Sequence, residues 1–127
     1  MGLGELMRHP VVMIVGPYDA PNSWLRELNV RRAESVIYPL AVEGITAICP
    51  HNMNRFLYGT LSEQLWRELI LELVHRVAAL LCSGKKGVRS EGTKAEIELA
   101  ADLGIPVFYS VAAVAAWADG WRVRQGD

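Results

Sequence analysis

The amino-acid sequence predicts an α/β domain built on a mainly parallel sheet of four or five strands. Short apolar runs over 10–16, 45–50, 77–82 and 105–109 alternate with longer segments of helical spacing, the order of strand–helix–strand units. The first run, Pro10-Val11-Val12-Met13-Ile14-Val15-Gly16, is uninterrupted and rich in β-branched residues, as a strand buried on both faces requires. The polar groups that look chemical gather in the segments after these runs, where open parallel sheets bind their ligands.

The strand over 10–16 feeds a loop over 17–23. Residues 24–42 carry Leu25, Leu28, Val30, Ala33, Val36, Ile37, Leu40 and Ala41 near helical spacing, with Glu43-Gly44 as a stop, and predict one crossover helix. A second strand follows over 45–50, and the polar stretch 51–60, with Asn52, Asn54 and Arg55, reads as a long binding loop or lid. Over 61–76, Leu65, Trp66, Leu69, Ile70, Leu73 and Val74 make one apolar stripe, with Glu63, Arg67, Glu68, Glu72 and Arg76 off it. This is an amphipathic helix laid on the sheet. A third strand over 77–82 precedes a basic loop over 84–89, a helix over 92–103 closed by Gly104, and a fourth strand over 105–109. The tail predicts an alanine-rich helix over 111–118 and a short fifth strand at Trp121-Arg122-Val123-Arg124. Crossovers between parallel strands are expected to be right-handed.

The chain's 127 residues suit one domain with its own core. With 51% hydrophobic residues and a net charge of −1, composition excludes a disordered chain and a nucleic-acid binder held by bulk charge. A small molecule is the expected ligand. Cys49 and Cys82 lie inside apolar runs rather than at metal-ligand spacing, and we read neither a secretory leader nor a membrane-length apolar segment. A reducing cytoplasm, with no membrane partner, is the expected setting.

The stretch Ser90-Glu91-Gly92-Thr93-Lys94-Ala95-Glu96 opens the helix before the fourth strand and places Glu96 in its first turn. A helix N-terminus offers unpaired N–H groups and partial positive charge, which suit a phosphate and an ionised carboxylate. The same residues also fit a capping box, in which Glu96 only bonds back to the backbone before Thr93. Glu68 and Glu72 read equally as a solvated helix face, with Glu72 and Arg76 as an i,i+4 pair. His51 is either a loop-capping residue or a ligand contact, His75 a partner of the helix dipole. Lys85-Lys86-Gly87-Val88-Arg89 is either a phosphate-attracting lip or a solvated loop. Trp24, Trp66, Trp117 and Trp121 suit the core or a subunit interface, and Trp24, at the edge of the first loop, alternatively stacks on a base.

Read together, Gly16-Pro17-Tyr18, Asn29-Val30 with Ala33, Pro50-His51, Phe56-Leu57 and the run from Ser90 through Glu96 and Ala100 to Gly104-Ile105-Pro106-Val107 resemble a family of small bacterial and phage proteins. That family is similar to the nucleoside 2-deoxyribosyltransferases. The resemblance covers about residues 11–109 and implies a flavodoxin-like three-layer sandwich. It implies further that Glu96 attacks the anomeric carbon of a nucleoside or nucleotide and expels the base. A carboxylate nucleophile splits such a displacement into two steps through a covalent sugar ester. Serine at position 90 resembles the monophosphate hydrolases of the superfamily, so Ser90 with the N–H groups of Glu91 and Gly92 is expected to hold a 5′-phosphate. Tyr18 falls where the family sets an aromatic or hydroxyl group beside the nucleophile, and Gly16 lets the backbone approach the ligand. Pro17, Asn22, His51 and Arg55 are expected contacts to sugar, base or phosphate.

One position departs from the catalytic members. Their aspartate on the helix before the third strand, which manages the leaving base's proton, aligns with Ile70; Glu68 and Glu72 flank it and are the expected substitutes. The expected activity is cleavage or transfer at the N-glycosidic bond of a nucleoside 5′-monophosphate or related nucleotide, with no metal and no cofactor. The alternative is a nucleotide-binding sensor or sequestering protein. The apolar face of the helix over 61–74 predicts a homodimer or higher homo-oligomer, as such relatives often complete their sites across an interface.

Overall fold

A computed structural model describes residues 8–84 and 91–126, apart from the Glu91 side chain. Strand β1 (Val11–Val15) pairs in parallel with β2 (Thr46–Ile48) on one side and β3 (Ala79–Cys82) on the other, and β3 pairs in parallel with β4 (Val107–Phe108). The sheet order is therefore β2-β1-β3-β4, with the reversal of direction between β1 and β3. Side chains alternate across the pleat, so β1 feeds two cores. Val12 and Ile14 join Ala79 and Leu81 under Leu40 of α2 (Ile37–Val42) and Val114 and Ala118 of α6 (Val111–Gly126). Met13 and Val15 join Leu80 and Cys82 under Ile70 and Val74 of α4 (Glu63–Val74) and Ala100 of α5 (Glu91–Leu103). Helices on both faces of an all-parallel sheet make this the expected three-layer, flavodoxin-like fold. Met13, Ile14 and Leu80 are each fully buried, which contributes about 2 kcal/mol per side chain.

Four elements differ from their expected form. The helix expected over 24–42 is two helices, α1 (Ser23–Glu34) and α2, separated at Ser35 and Val36. Pro39 causes the break: inside a continuous helix it lacks an N–H and clashes with the carbonyl four residues earlier, whereas a restart at Ile37 puts it in a first turn, where no acceptor waits. Asn22 caps α1 through its side chain, which accepts from the Leu25 N–H at 2.9 Å. The stretch expected as a loop over 51–60 is mostly α3 (Pro50–Leu57), started by Pro50 in its first turn.

The tail forms no fifth strand among the described residues; α6 runs unbroken through Trp121 to Arg124. Trp117 and Trp121 pack one turn apart with ring centroids at 6.4 Å. Arg122 donates to the carbonyls of Arg8, Glu43 and Gly44, which ties α6 to the entry of β2. Finally, α5 begins at Glu91, so Thr93 lies inside the helix and Glu96 in its second turn rather than the first. The capping box fails for that reason. On α4, Ser62 caps as its side chain accepts from the Leu65 N–H, and Ile70 and Val74 are buried while Leu65 and Leu69 stay exposed. No helix among the described residues is long and apolar enough to cross a membrane.

Candidate functional site

The carboxyl ends of β1 and β3 are stitched together: the Ser83 N–H and hydroxyl both donate to the Val15 carbonyl, at 2.8 and 3.2 Å. Gly16 follows at once. A Cβ there would collide with the Ser83 hydroxyl as it stands on the Val15 carbonyl, so glycine lets that hydrogen bond and the close approach coexist. The loop after Gly16 is fastened to α3 rather than left open. The Tyr18 hydroxyl donates to the Asn54 carbonyl at 3.2 Å, and the Asn29 amide donates to the Tyr18 carbonyl at 3.0 Å. The Tyr18 ring stands edge-on to His51 and to Tyr58. Tyr58 in turn carries the Arg26 guanidinium 4.3 Å over its face and donates its hydroxyl to Asp19.

This wall bounds a cavity of about 560 Å³ at the sheet's reversal point. Gly16, Tyr18, Asp19, Asn54 and Tyr58 line one side, Glu63, Trp66, Arg67 and Ile70 of α4 another, and Gly92 and Glu96 of α5 a third, with Leu57, Gly59 and Leu61 at the lip. A smaller pocket of about 50 Å³ shares Gly16, Tyr18, Asn54, Trp66, Ile70 and Glu96 with it and adds Ile14, Pro50 and His51.

Glu96 is only partly exposed, and burial pushes its carboxyl up to about 8, against the pull of the Arg67 charge. A carboxyl in that condition is a poised group rather than a solvated one. Burial also raises the Tyr18 phenol, with the Arg26 charge opposing it. His51 is lowered by burial, partly offset by the Pro17 and Gly16 carbonyls, and its Nε2–H donates to the Pro17 carbonyl at 3.2 Å.

The structure brings Gly16, Tyr18, Gly92 and Glu96 together on the cavity and His51 onto the smaller pocket, with Pro17 contributing the carbonyl that holds His51. Ser90 and residues 85–89 lie outside the described residues, as does the Glu91 side chain. Other expected site residues serve elsewhere. Asn22 is spent on its cap. Arg55 forms ion pairs with Glu27 and Glu34 at 2.9 Å each, binding α3 to α1. Glu68 and Glu72 do not line the cavity: both are exposed, accepting from Gln64 and Arg76 along their own helix. Trp24 is exposed and off the cavity, while Trp66 lines it.

Sequence reasoning did not single out Trp66, Arg67, Glu63 or Tyr58 for the site, and took Asn54 only as part of a binding loop. The first three carried a usable signal. Positions 63, 66, 67 and 70 follow the i, i+3, i+4, i+7 rule and so share one helix face, the face that meets the cavity. The carboxylate that α4 presents there is Glu63, held by Arg67 at 2.9 Å. Sequence comparison finds no protein-family model that matches the chain and no curated protein that matches it.

Proposed function

We propose that the chain binds a nucleoside 5′-monophosphate or related nucleotide and cleaves or transfers its N-glycosidic bond, with Glu96 as nucleophile, in the manner of the nucleoside 2-deoxyribosyltransferases it resembles. The observation that carries this reading is a partly buried, pKa-shifted glutamate in the wall of a nucleotide-sized cavity at the sheet's reversal point. Gly92, one turn before Glu96, supports it. The two lie on one helix face, about 6 Å apart along the axis, so the Gly92 backbone and the Glu96 carboxyl line the same wall. The Glu96 carboxylate attacks the anomeric carbon, and the carbon–nitrogen electrons leave with the base, which takes a proton from solvent in the open cavity. Water or a second base then displaces the carboxylate, so no metal or cofactor enters the scheme. Tyr18 and Trp66 offer aromatic surface to the base, and Arg67 favours the ionised form of Glu96.

A second reading, a nucleotide-binding sensor or sequestering protein, is favoured by the absence of Glu68 and Glu72 from the cavity and by the raised pKa of Glu96, which keeps the nucleophile mostly protonated at neutral pH. Incubation with a panel of nucleotides and nucleosides, assayed for free base, separates the two. Release by the wild type and none by Glu96→Ala is expected. Equal release by both, or none with nucleotide-induced thermal stabilisation intact, refutes the catalytic reading. We also propose a homo-oligomer, because Leu65 and Leu69, one turn apart on α4, stand exposed, as do Leu61 and Phe56. Light scattering that finds only monomer would refute that.

A further inference from the structure

We propose that Asn54 holds the 2′-hydroxyl of the sugar, so that the site takes ribonucleotides in preference to 2′-deoxyribonucleotides. The inference rests on the nucleotide reading above and adds which sugar that site admits. Asn54 lies inside α3 and is only 8% exposed. Its backbone carbonyl is occupied, accepting from the Tyr18 hydroxyl at 3.2 Å and the Tyr58 N–H at 2.9 Å. Its side-chain amide, which offers two donors and an acceptor, has no hydrogen-bond partner among the described residues. Nor is the amide sealed in: the fully enclosed, unpartnered side-chain atoms among those residues are His51 Nδ1 and Asn52 Oδ1, so both polar atoms of the Asn54 side chain keep open surface. A nearly buried amide without a partner is uncommon, and asparagine is a poor residue for a helix interior, so the fold itself gains nothing from it.

The space that Asn54 lines decides what satisfies it. The residue borders both the cavity of about 560 Å³ and the smaller pocket of about 50 Å³, and Glu96 borders both as well. A nucleobase, with its ring, needs the cavity, whereas the smaller pocket suits a polar group about the size of a water molecule. With Glu96 on the anomeric carbon, two variable substituents lie next to the nucleophile: the base, and whatever the neighbouring carbon bears at 2′. The 2′ substituent is the small one. A hydroxyl there donates to Asn54 Oδ1 or accepts from its Nδ2–H, so either orientation of the amide is satisfied. A 2′-methylene does neither, and the apolar side chains of Ile14 and Ile70 in the pocket wall supply no substitute. Hydrogen bonds to this hydroxyl also strengthen as a retaining displacement approaches its transition state, so the contact serves the reaction as well as the fit. The preference departs from the deoxyribosyl chemistry of the family the chain resembles.

The test titrates adenosine and cytidine 5′-monophosphates calorimetrically into the full chain, each beside its 2′-deoxy counterpart, at about pH 6, where Glu96 is protonated and turnover is suppressed. The ribo member of each pair is expected to bind about tenfold more tightly. Asn54→Leu keeps the side chain's bulk and removes its amide, and should bring each pair to within about twofold without weakening the deoxy member. A second measurement needs no variant: the nitrogen-15 resonance of the Asn54 side-chain amide should move further on binding the ribo member than on binding the deoxy member. Equal affinities in the wild type, or a resonance indifferent to the 2′-hydroxyl, overturn the proposal while leaving nucleotide binding intact. A ribose preference that survives Asn54→Leu overturns it too, and a variant that instead reorders adenine against cytosine assigns the amide to the base. If no nucleotide of either kind binds, the nucleotide reading itself falls and takes the proposal with it.

Discussion

Replacing Glu96 by glutamine removes an ionisable group whose proton the fold retains, so the variant should alter the slope of stability against pH. The carboxyl is held at about 8 in the folded chain, against an ordinary value of 4.5. Between those limits the native state binds more protons than the unfolded chain, so unfolding free energy falls as pH rises. The slope reaches about 1.4 kcal/mol per pH unit. Below 4.5 both states are protonated and above 8 both are ionised, and there the slope vanishes. The full window corresponds to about 5 kcal/mol. Solvent entering the open cavity screens part of it, so we expect a wild-type loss of about 3 kcal/mol relative to Glu96→Gln between pH 5 and pH 8. In melting temperature that is about 10 °C for a chain of this size. The assay is urea unfolding of both proteins at half-unit steps from pH 5 to pH 9, read as the difference curve. A flat difference, or one in which the wild type gains on the variant as pH rises, would refute the claim that Glu96 is desolvated in the wall of the cavity.

The same ionisation governs turnover: base release per unit substrate should rise about tenfold per pH unit below about 8 and level above it, and a rate that is flat or falls through that range contradicts a glutamate nucleophile. Arg67→Met removes the charge that opposes burial at Glu96, so the rising limb should move to higher pH; an unmoved limb means that Arg67 does not act on Glu96. Gly16→Ala drives a methyl into the Ser83 hydroxyl, which must swing away from the Val15 carbonyl. A loss of about 1 kcal/mol in denaturant unfolding, with weaker adenosine 5′-monophosphate binding, is expected, and unchanged binding would remove Gly16 from the site. Arg55→Met unties α3 from α1 and should lower the melting temperature while leaving the nucleotide-induced shift intact; a lost shift would return Arg55 to the binding residues.

Strands and layers were legible in the sequence because the signal is redundant: every position of β1 and β3 is apolar, and two-sided burial leaves no other placement for such runs. The misses come from single residues that act locally. Pro39 and Pro50 each decide whether a helix can pass or begin, and an apolar pattern averaged over a dozen residues hides both. Trp121 and Arg122 alternate in polarity like a strand, yet the contacts of Arg122 with Gly44 and Glu43 lie far away in sequence and no local pattern announces them. The site divides in the same way. Gly16, Tyr18, Gly92 and Glu96 were legible because they follow strands or open a helix at the reversal point. Arg67 and Trp66 were assigned by apolar stripe, whereas the face that matters on α4 is defined by what opposes it in space. Asn22 and Arg55 were drawn in by chemistry their neighbours had already claimed.

The α4 face also explains how a site with Ile70 in place of an aspartate could work. A carboxylate beside Glu96 would add repulsion to burial and raise its pKa further, which serves a general acid's proton but hinders ionisation of the nucleophile. Arg67 on the same face does the reverse: it favours the Glu96 carboxylate and supplies no proton to the departing base. A site so charged suits bases that protonate themselves. Amino-substituted bases carry a more basic ring nitrogen than their keto counterparts and leave more readily once protonated there, so they need least from an enzyme-borne acid. On the reading proposed above, the α4 cation therefore favours bases that can depart without an enzyme-borne acid, and it does so through the chemistry of departure alone.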